Sequence, residues 1–554
     1  MNQETWHSVI PRHEQFSASI EQYSTLPPMD FFAVQPRLQQ ALRTLVASQG
    51  LTKMLLINAP DNPVYRQLLQ QKLAELDSNA PVIRTESLDP TVIFGAYEAN
   101  AGDLRAQQTS LLAQADGGYL ILSAHVLLSQ PLNWLRLKAV LFDEAISPIN
   151  VSPTHICDTV TVKKYDIKLV IVGDRDQLGE VDYLDRDIHA GMSLYSEVEL
   201  DLEITPSNVE AYLGYVRWLS ETYQLPTLTP DGVQRLMIAG ARLTEDQDYM
   251  PLDILWYRSL LDEARVTLMK NNAKSDVVTY AVLEQTLDDR YYRESYLPER
   301  SLADILDGQV IIETQGEQVG QVNGLTVIDV PGHPLSYGEP ARISCVIHFG
   351  DGDIADVERK AELGGNLHAK GMMIMQAFVS SALKLNEPLP YSASVVFEQS
   401  YSEVDGDSAS LAELCSFVSA LSEYPINQQI AVTGAVDQFG RVQAVGGLNE
   451  KIEGFYRVCQ HQGFTGSQGV ILPKSNLKHL SLHKNVIDSI QNGEFHLWSV
   501  STVDEAVPIL MNHPFRGDDE ASVVRKIAQR IEQFERHDQP SSLIEKIKNW
   551  FISH

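Results

Sequence analysis

The chain has 554 residues, of which 44% are hydrophobic and 21% charged, and its formal net charge is −30 at pH 7. This length exceeds what one hydrophobic core serves, so we expect about two to four domains. The acidic balance excludes nonspecific DNA or RNA binding as the main role, because phosphate contact needs clustered Lys and Arg. The negative charge favours solubility. It is either an ordinary property of an acidic cytoplasmic protein or a means of attracting a basic partner.

The features that report cellular location indicate the cytoplasm. The chain opens with the polar segment MNQET, which lacks the basic start of a signal peptide. No window reaches about 18 apolar residues, so no transmembrane helix is expected. The cysteines form no CxxC pair, which favours buried free thiols over a disulfide framework or a zinc site. The four cysteines are Cys157, Cys345, Cys415 and Cys459.

Short apolar runs separated by helical patterns occupy the first 200 residues. Runs of this kind are typical of strands buried on both faces of a parallel sheet. We therefore predict an α/β domain here. The predicted strands are 53–58, 117–122 and 168–174, and the predicted helices are 38–45 and 64–76.

Three further regions follow in chain order. Residues 205–295 carry helical periodicity with few strand signals, and residues 305–512 again alternate strands and helices. After Pro514 the chain becomes polar and helical, with an apolar stripe in 521–535 and another in 543–551. This tail could pack on its own domain, dock to a neighbouring subunit or protein partner, or bind weakly to a membrane surface.

Two glycine-bounded segments in the second half could supply a nucleophile and its base. They read VDGDSAS at 404–410 and GGLNEK at 446–451. A serine hydroxyl is a poor nucleophile at neutral pH, and a lysine can take its proton only if burial lowers the lysine pKa. Small neighbours leave room for a peptide beside Ser408, and apolar neighbours predict a dry environment for Lys451. By itself such a serine is more often part of a turn or a helix N-cap.

Further motifs resemble those of the Lon protease family, in the same order along the chain. QSYSEVDGDSAS at 399–410 resembles the nucleophile segment of the LonB-like branch, and Lys451 follows Ser408 by 43 residues, as in the family. The resemblance covers roughly residues 305–512 and implies an α/β Lon-type protease domain. The other matching segments are GQVNGL (320–325), GNLHAKG (365–371), TGAV (433–436), GRV (440–442), VGGLNEKI (445–452) and GVILPKSNL (469–477).

The resemblance implies a role for each residue of the site. Ser408 would be the nucleophile and Lys451 its general base, with backbone N–H groups at the start of the next helix forming the oxyanion hole. Thr433 holds the family position of a hydroxyl that orients the lysine amine, although an ordinary strand threonine would look the same. Asp407 and Ala409 would flank the nucleophile, and Asp407 could instead stabilise a helix N-terminus. We interpret His368 and Lys370 as residues at the start of a helix and His461 and His479 as surface residues.

The order of the predicted parts resembles an AAA+ module fused to a Lon protease domain. We therefore predict an α/β protein: a degenerate AAA+-like α/β domain plus a helical lid, followed by an α/β Lon-type protease domain. Arg242 matches the position of the family's sensor arginine in the lid. The predicted boundaries are 1–200 for the AAA+-like domain, 201–300 for the lid, 301–514 for the proteolytic domain and 515–554 for the helical tail.

The loop after the first predicted strand lacks what a nucleotide site needs. A P-loop requires glycines whose N–H groups bind phosphates, a lysine, and a Ser or Thr for magnesium. The loop has no glycine, Pro63 has no N–H, and Asp61 adds negative charge where phosphate would lie. Val64 and Tyr65 stand in place of the lysine and the Ser or Thr. The degenerate positions are Asn58, Asp61, Pro63, Val64 and Tyr65.

The acids that would hold magnesium are also missing, because the second predicted strand runs into Ser123-Ala124. The segment 174–176 (Asp-Arg-Asp) could replace them as a metal site, but a solvated turn is favoured. We expect that nucleotide hydrolysis is absent, that ATP binding is weak or lost, and that peptide hydrolysis needs no cofactor and no metal.

Together the motifs favour a cytoplasmic, ATP-independent serine endopeptidase that acts on unfolded or loosely folded proteins. The family resemblance implies a homo-oligomer, specifically a hexamer. Two alternatives stay open: an ATP-dependent Lon-type protease, and a non-proteolytic chaperone-like or scaffold assembly. No GxSxG elbow surrounds Ser408 and no HExxH motif occurs, which disfavours an α/β-hydrolase triad and a zinc protease.

Overall fold

The computed structural model describes residues 2–100, 103–152, 154–155, 160–272, 276–350, 354–383, 391–400, 404–517 and 520–538. The chain folds into two compact units. The first unit comprises residues 26–202 and 210–222, and the second comprises residues 1–25, 203–209 and 223–554.

A five-stranded parallel sheet forms the centre of the first unit. Its middle strands are runs of Leu, Ile and Val that are buried along almost their whole length, as expected for strands covered on both faces. The three strands predicted from the sequence lie within one residue of those observed, which confirms the parallel α/β prediction. Across the sheet the order is Val82–Thr85, Gly118–Ser123, Ile167–Gly173, Met54–Asn58 and Ser193–Glu197.

The helices of the first unit follow its strands in the chain, and a small sheet lies beside them. Four of these helices begin with proline in the first turn, where a missing N–H costs nothing. The helices are Pro36–Ala47, Pro63–Leu76, Pro90–Phe94, Leu111–Gln114, Ala124–Ser129, Pro131–Leu141, Arg175–Leu184 and Val209–Thr222. The small sheet has the order Asp103–Gln108, Ala96–Asn100 and Ile149–Asn150.

A seven-stranded mixed sheet forms the centre of the second unit. The strand Gln321–Ile328 pairs antiparallel with Tyr337–Phe349 on one side and parallel with Ile430–Val432 on the other. The order across the sheet is Ile354–Asp356, Tyr391–Phe397, Tyr337–Phe349, Gln321–Ile328, Ile430–Val432, Gln468–Pro473 and Phe495–Val500. Short pairs add Thr227–Leu228 with Val277–Val278, Glu317–Gln318 with Ile426–Asn427, and Ala435–Val436 with Val442–Gln443.

The helices of the second unit include the helical region predicted around 205–295. The helices there are Pro230–Thr244, Ile254–Lys270, Tyr280–Glu294 and Tyr296–Leu306. The remaining helices are Ser17–Glu21, Val357–Lys360, Asn366–Ala382, Ser410–Ser422, Leu448–Gln462, Lys484–Gln491, Val503–Met511 and Val523–Asp538.

Two helices pack on opposite faces of this sheet and define the site. The nucleophile helix (Ser410–Ser422) shares a core with Val432 and Ile471, and every one of its residues is buried. The base helix (Leu448–Gln462) shares another core with the neighbouring residues Ala431 and Val470. Because side chains alternate between the faces of a strand, these cores lie on the two sides of one sheet. The α/β prediction is thus confirmed for both units.

The described part of the predicted tail packs on its own unit. Val523, Ile527 and Ile531 of the C-terminal helix join the core around the nucleophile helix. Arg530 donates to the carbonyl of Ala420, 3.0 Å away, and also to that of Leu421. The second apolar stripe, 543–551, lies outside the described residues.

Candidate active site

The nucleophile segment, residues 404–409, leads directly into the nucleophile helix. The N–H of Ser410 donates to the carbonyl of Asp407 at 3.1 Å, and the N–H of Glu413 donates to the carbonyl of Ala409 at 2.9 Å. These bonds form the first turn, so Ser408 lies just before a helix whose residues are all buried. Ala409 is 6% exposed, whereas Ser408 and Asp407 are half-buried. Ser408 therefore lies, partly exposed, at the N-terminal end of a buried helix.

The base helix begins at Gly447, whose φ of +63° falls in the left-handed region. A Cβ there would also lie about 3.0 Å from the side chain of Val327, so glycine fits this N-cap on two counts. The N–H of Lys451 donates to the carbonyl of Gly447 at 3.0 Å. This first turn fixes the backbone of Lys451, whose side chain reaches the nucleophile segment.

Lys451 and Ser408 meet across the end of the sheet. The Nζ of Lys451 donates to the Oγ of Ser408 at 3.1 Å. Lys451 lies on the base helix, whereas Ser408 lies just before the nucleophile helix, which packs on the opposite face of the sheet. The lysine side chain is among the largest fully buried ones in the chain. Within the described residues it forms no ion pair with a carboxylate. The structure thus brings together the two residues that the sequence paired.

Burial lowers the pKa of Lys451 to about 8, although the negative charges of Asp407 and Glu450 partly oppose the shift. A charged amine loses its hydration when it is buried, so its neutral form becomes accessible near neutral pH. A neutral amine within hydrogen-bond distance of a hydroxyl can accept its proton. The pair therefore has both the geometry and the electrostatics of a nucleophile and its base.

Thr433 follows the strand Ile430–Val432 and is fully buried. Its hydroxyl donates to the carbonyl of Ser408 at 3.4 Å, and the N–H of Gly434 donates to the same carbonyl at 2.9 Å. Both bonds hold the backbone of Ser408 rather than the amine of Lys451. The contact that the sequence predicted between Thr433 and the lysine stays a prediction.

The backbone N–H groups of Ser408 and Ala409 form no hydrogen bond with the described part of the chain. They precede the first turn of the nucleophile helix, where N–H groups point outward and carry a partial positive charge. Such groups can bind a developing oxyanion if a substrate carbonyl lies above Ser408.

Arg242 lies at the end of the lid helix Pro230–Thr244 and contacts the base helix. Its guanidinium donates to both carboxylate oxygens of Glu453, at 2.6 and 2.9 Å, and to Glu450 at 3.2 Å. Burial alone would raise the pKa of Glu453, but the charge of Arg242 holds it at about 2. The family resemblance predicts that Arg242 is the sensor arginine of the lid. In the structure it contacts two acids of the helix that carries Lys451, and the sensor role stays a prediction.

A cluster beside the nucleophile helix was missed by the sequence reasoning. His368 does start a helix, Asn366–Ala382, as predicted, but it is buried between Asp356 and Glu413. The signal in the sequence was Glu413, a single acid in the otherwise uncharged helix segment 410–422. His461 is exposed, as predicted, whereas His479 is half-buried.

In the first unit, side chains from the loop after Asn58 contact the following helix and a neighbouring strand. The carboxylate of Asp61 pairs with the guanidinium of Arg66 and accepts from the hydroxyl of Ser123 at 2.5 Å. Tyr65 is 1% exposed and packs in the core. Asn62 caps the following helix by accepting from the N–H of Val64 at 3.0 Å. The loop thus carries a paired carboxylate, and residues 58–65 include no glycine or lysine that could bind phosphate.

The described residues contain no cluster of His, Cys, Asp and Glu that could hold a metal ion. Asp174, the first residue of the segment 174–176, caps the helix Arg175–Leu184 in a reciprocal bond pair with Gln177. Cys345, Cys415 and Cys459 are buried free thiols, and Cys157 lies outside the described residues. In the part of the chain that the structure describes, no helix is both long and apolar enough to cross a bilayer.

Comparison with known proteins identifies the family. Residues 397–513 match the Lon protease (S16) C-terminal proteolytic domain, and residues 78–197 match the LonB-like AAA domain. An Escherichia coli (strain K12) protein named "Putative Lon protease homolog" is 38% identical over 99% of this chain and 98% of its own length. A Haemophilus influenzae protein of the same name is 36% identical over 92% of this chain and 91% of its own. The chain belongs to the Lon protease family.

Proposed function

We propose that this protein is a serine endopeptidase in which Ser408 is the nucleophile and Lys451 the general base. One observation carries the proposal: the buried amine of Lys451 lies 3.1 Å from the hydroxyl of Ser408 and has a pKa lowered to about 8. A purely structural lysine would be expected to pair with a carboxylate, since an unpaired buried charge is costly.

The geometry supports a two-step reaction. The neutral amine of Lys451 takes the proton of Ser408 as Oγ attacks the substrate carbonyl carbon, and the N–H groups of Ser408 and Ala409 bind the oxyanion. The ammonium then gives its proton to the leaving amine as the C–N bond breaks, which leaves an acyl-enzyme. Water, deprotonated by the same amine, attacks the ester carbonyl carbon. The C–O bond to Ser408 then breaks, the ammonium returns its proton to Oγ, and the second product leaves. The bonds from Thr433 and Gly434 to the Ser408 carbonyl hold the nucleophile in register throughout.

We further propose that peptide hydrolysis needs no ATP. The support is the loop after Asn58, where Asp61, Arg66 and Ser123 fill the place of phosphate with a paired carboxylate. A peptidase without a motor cannot unfold its substrates, so those substrates would be unfolded or loosely folded proteins. By likeness to the Lon family we also propose a cytoplasmic homo-oligomer, specifically a hexamer. The buried free thiols are compatible with a reducing compartment.

The first experiment compares degradation of a loosely folded protein such as casein by wild type and by Ser408→Ala, without nucleotide. Cleavage by wild type alone is expected. Ser467→Ala is the matched control, because Ser467 is exposed and its side chain lies outside the site. Labelling with a fluorophosphonate, followed by mass spectrometry, should modify Ser408 and no other serine.

Two outcomes would favour the alternatives. Cleavage that appears only with ATP, and that stops when a residue of the 58–65 loop is changed, would indicate an ATP-dependent protease. An unlabelled Ser408, together with protection of the client from aggregation, would indicate a chaperone-like assembly.

A further inference from the structure

A buried cluster of one histidine and three acids lies beside the nucleophile helix. The Nε2 of His368 is 3.2 Å from the carboxylate of Asp356, and its Nδ1 is 3.4 Å from Oε1 of Glu413. The side chains of His368 and Glu413 are each 2% exposed. Glu358, also buried, accepts from the N–H of Phe397 at 3.0 Å. The proposed mechanism uses none of these groups.

The cluster joins elements that shape the nucleophile segment. Glu413 lies in the first turn of the nucleophile helix, where its N–H donates to the carbonyl of Ala409. One turn after His368, Gly371 approaches the segment so closely that a Cβ there would lie 3.2 Å from the Cβ of Asp407. At the start of the same helix, the N–H of Leu367 donates to the carboxylate of Asp405 at 3.2 Å. The helix that carries His368 is thus one wall of the segment around Ser408.

The charges in this cluster cannot balance without bound protons. The charged and titratable groups that face His368 are Asp356 from the strand Ile354–Asp356, Glu358 from the helix Val357–Lys360 and Glu413 from the nucleophile helix, and Glu398 approaches Glu358. One imidazolium offsets one carboxylate at most. The Oε1 atom of Glu413 lies 3.4 Å from Nδ1 of His368 but forms no hydrogen bond with the described residues, so a proton bound at this oxygen would reduce the cost of its burial.

The electrostatics agree with bound protons. Burial raises the pKa of Glu413 to about 7, and the positive charge of His368 limits this rise. Burial disfavours a charged imidazole, but the bond to Asp356 and the charge of Glu413 still raise the pKa of His368 above its usual value. Burial likewise raises the pKa of Glu358. Near neutral pH the cluster therefore holds protons that it loses at alkaline pH.

We propose that His368 is a positioning residue for the nucleophile: as an imidazolium between Asp356 and Glu413, it holds the helix Asn366–Ala382 against the nucleophile segment. Loss of protons from the cluster leaves buried carboxylates that repel one another, and the wall beside Ser408 moves away. The effect on catalysis opposes that of Lys451, whose amine must lose its proton to act as a base. The proposal rests on Ser408 being the nucleophile.

The test is the pH dependence of kcat and KM for a short fluorogenic peptide, from about pH 6 to about pH 10. Wild type should gain activity as Lys451 deprotonates near pH 8, while loss of protons from the cluster, starting with Glu413 near pH 7, opposes that gain and makes the rise shallower than titration of the lysine alone. His368→Leu should lower kcat by about 10- to 100-fold with KM nearly unchanged, because the nucleophile is misplaced and binding is not. Glu413→Gln, which mimics the protonated acid, should keep activity near neutral pH and make the rise of activity with pH steeper than in wild type.

Matched controls are His461→Gln and Glu520→Gln, since both side chains are exposed. A Glu413→Gln profile that superimposes on wild type, or a His368→Leu enzyme with wild-type kcat at every pH, would overturn the proposal. If His368→Leu does not fold, the isosteric Glu413→Gln still decides, because its effect is predicted in the shape of the profile.

A second measurement does not depend on catalysis. Amide hydrogen exchange of the peptide covering 404–410, corrected for intrinsic rates, should speed up as pH rises above about 7 in wild type and less in Glu413→Gln. Equal exchange in both proteins refutes the positioning role even if the protein proves to have no peptidase activity. An inactive wild type in which exchange still responds to pH would instead refute the proposed function and leave the positioning role supported.

Discussion

Two loops of this protein lead into helices, and an ionisable side chain with little exposure to solvent lies at each of them. The two sites meet the cost of that burial in opposite ways. Before the helix Pro63–Leu76, the carboxylate of Asp61 is neutralised by Arg66 and bonded by Ser123. Before the nucleophile helix, Ser408 faces the buried amine of Lys451, which has no paired carboxylate within the described residues. Burying a charge is costly, and the fold can meet the cost by pairing the charge or by shifting the pKa of the group that carries it.

The difference teaches what makes a buried polar cluster reactive. A carboxylate and a guanidinium that are paired with each other have no free group for a substrate, so the contacts of the first loop stabilise the fold. An unpaired amine gives up its proton near neutral pH, so the second site has a base beside a hydroxyl. On the function proposed above, a Lon family member would keep its proteolytic site while the loop after Asn58 no longer serves a nucleotide.

The largest effect is expected at the pair itself. Ser408→Ala and Lys451→Met should each lower kcat/KM for a fluorogenic peptide by about 10⁴-fold, and the double variant should lose little more, because the residues act as a unit. Hydrolysis at neutral pH is the measurement, with Ser467→Ala and Lys484→Met as exposed controls. A Lys451→Met enzyme that retains a tenth of wild-type activity would show that another group is the base.

Stability should respond with opposite signs at the two loops. Arg66→Met leaves Asp61 buried without its cation and should lower the free energy of unfolding by about 3–5 kcal/mol, whereas Lys451→Met should raise it, by about 3 kcal/mol at most. The folded state lowers the pKa of Lys451, so below about pH 8 the wild-type fold bears the cost of a charged amine that the unfolded chain avoids.

Urea denaturation at neutral pH measures both changes. The double variant Asp61→Leu/Arg66→Met should recover much of the loss seen in Arg66→Met, because it removes the uncompensated carboxylate. A Lys451→Met protein that is clearly less stable than wild type would contradict the idea that this lysine is held at a cost for function.

A smaller effect should come from the charges around Lys451. Arg242→Met removes the cation that balances Glu450 and Glu453, so more negative charge faces the amine and the pKa of Lys451 should rise. The midpoint of the rise of kcat/KM with pH should therefore move upward by about one unit or less. Arg242→Lys is the matched control, and a midpoint unchanged in Arg242→Met would show that Glu450 and Glu453 become protonated instead.

The same ion pair predicts a dependence of stability on acid. The folded state lowers the pKa of Glu453 to about 2, so its contribution is complete above the unfolded value of about 4.5 and is lost as pH falls through 2. In Glu453→Gln this part of the acid sensitivity should disappear from urea denaturation curves measured between those limits.

Most of the fold and the central pair could be predicted from sequence because their signals are local. Buried strands of the parallel sheet appear as continuous apolar runs, and the three strands predicted in the first unit match within one residue. Ser408 and Lys451 are far apart in the chain, but each lies in a glycine-bounded segment that resembles a family motif. The loop after Asn58 could be interpreted as degenerate because the chemistry of phosphate binding depends on its own residues.

What could not be predicted depends on long-range packing. The contacts of Asp61 with Arg66 and Ser123 could not be predicted from the loop's own sequence. They form only because the strands Met54–Asn58 and Gly118–Ser123 lie in one sheet. The partners of Arg242 lie more than two hundred residues away in the chain. His368 looked like an ordinary residue at the start of a helix, and its burial between two carboxylates depends on where three elements cross.

The smallest effect is expected at Thr433, where a mutation can show whether the hydroxyl acts on the backbone of Ser408 or on the amine of Lys451. Its hydroxyl donates to the carbonyl of Ser408, while the family resemblance predicts a contact with the amine of Lys451. Thr433→Val removes one bond of about 1 kcal/mol from the nucleophile's backbone, so kcat should fall by about five- to tenfold while Thr433→Ser stays near wild type. If the hydroxyl acts only on the backbone, the pH midpoint set by Lys451 stays unchanged in Thr433→Val. If it orients the amine, the midpoint shifts together with the rate. The pH profile therefore separates the observed contact from the predicted one, because only the second involves the titrating group.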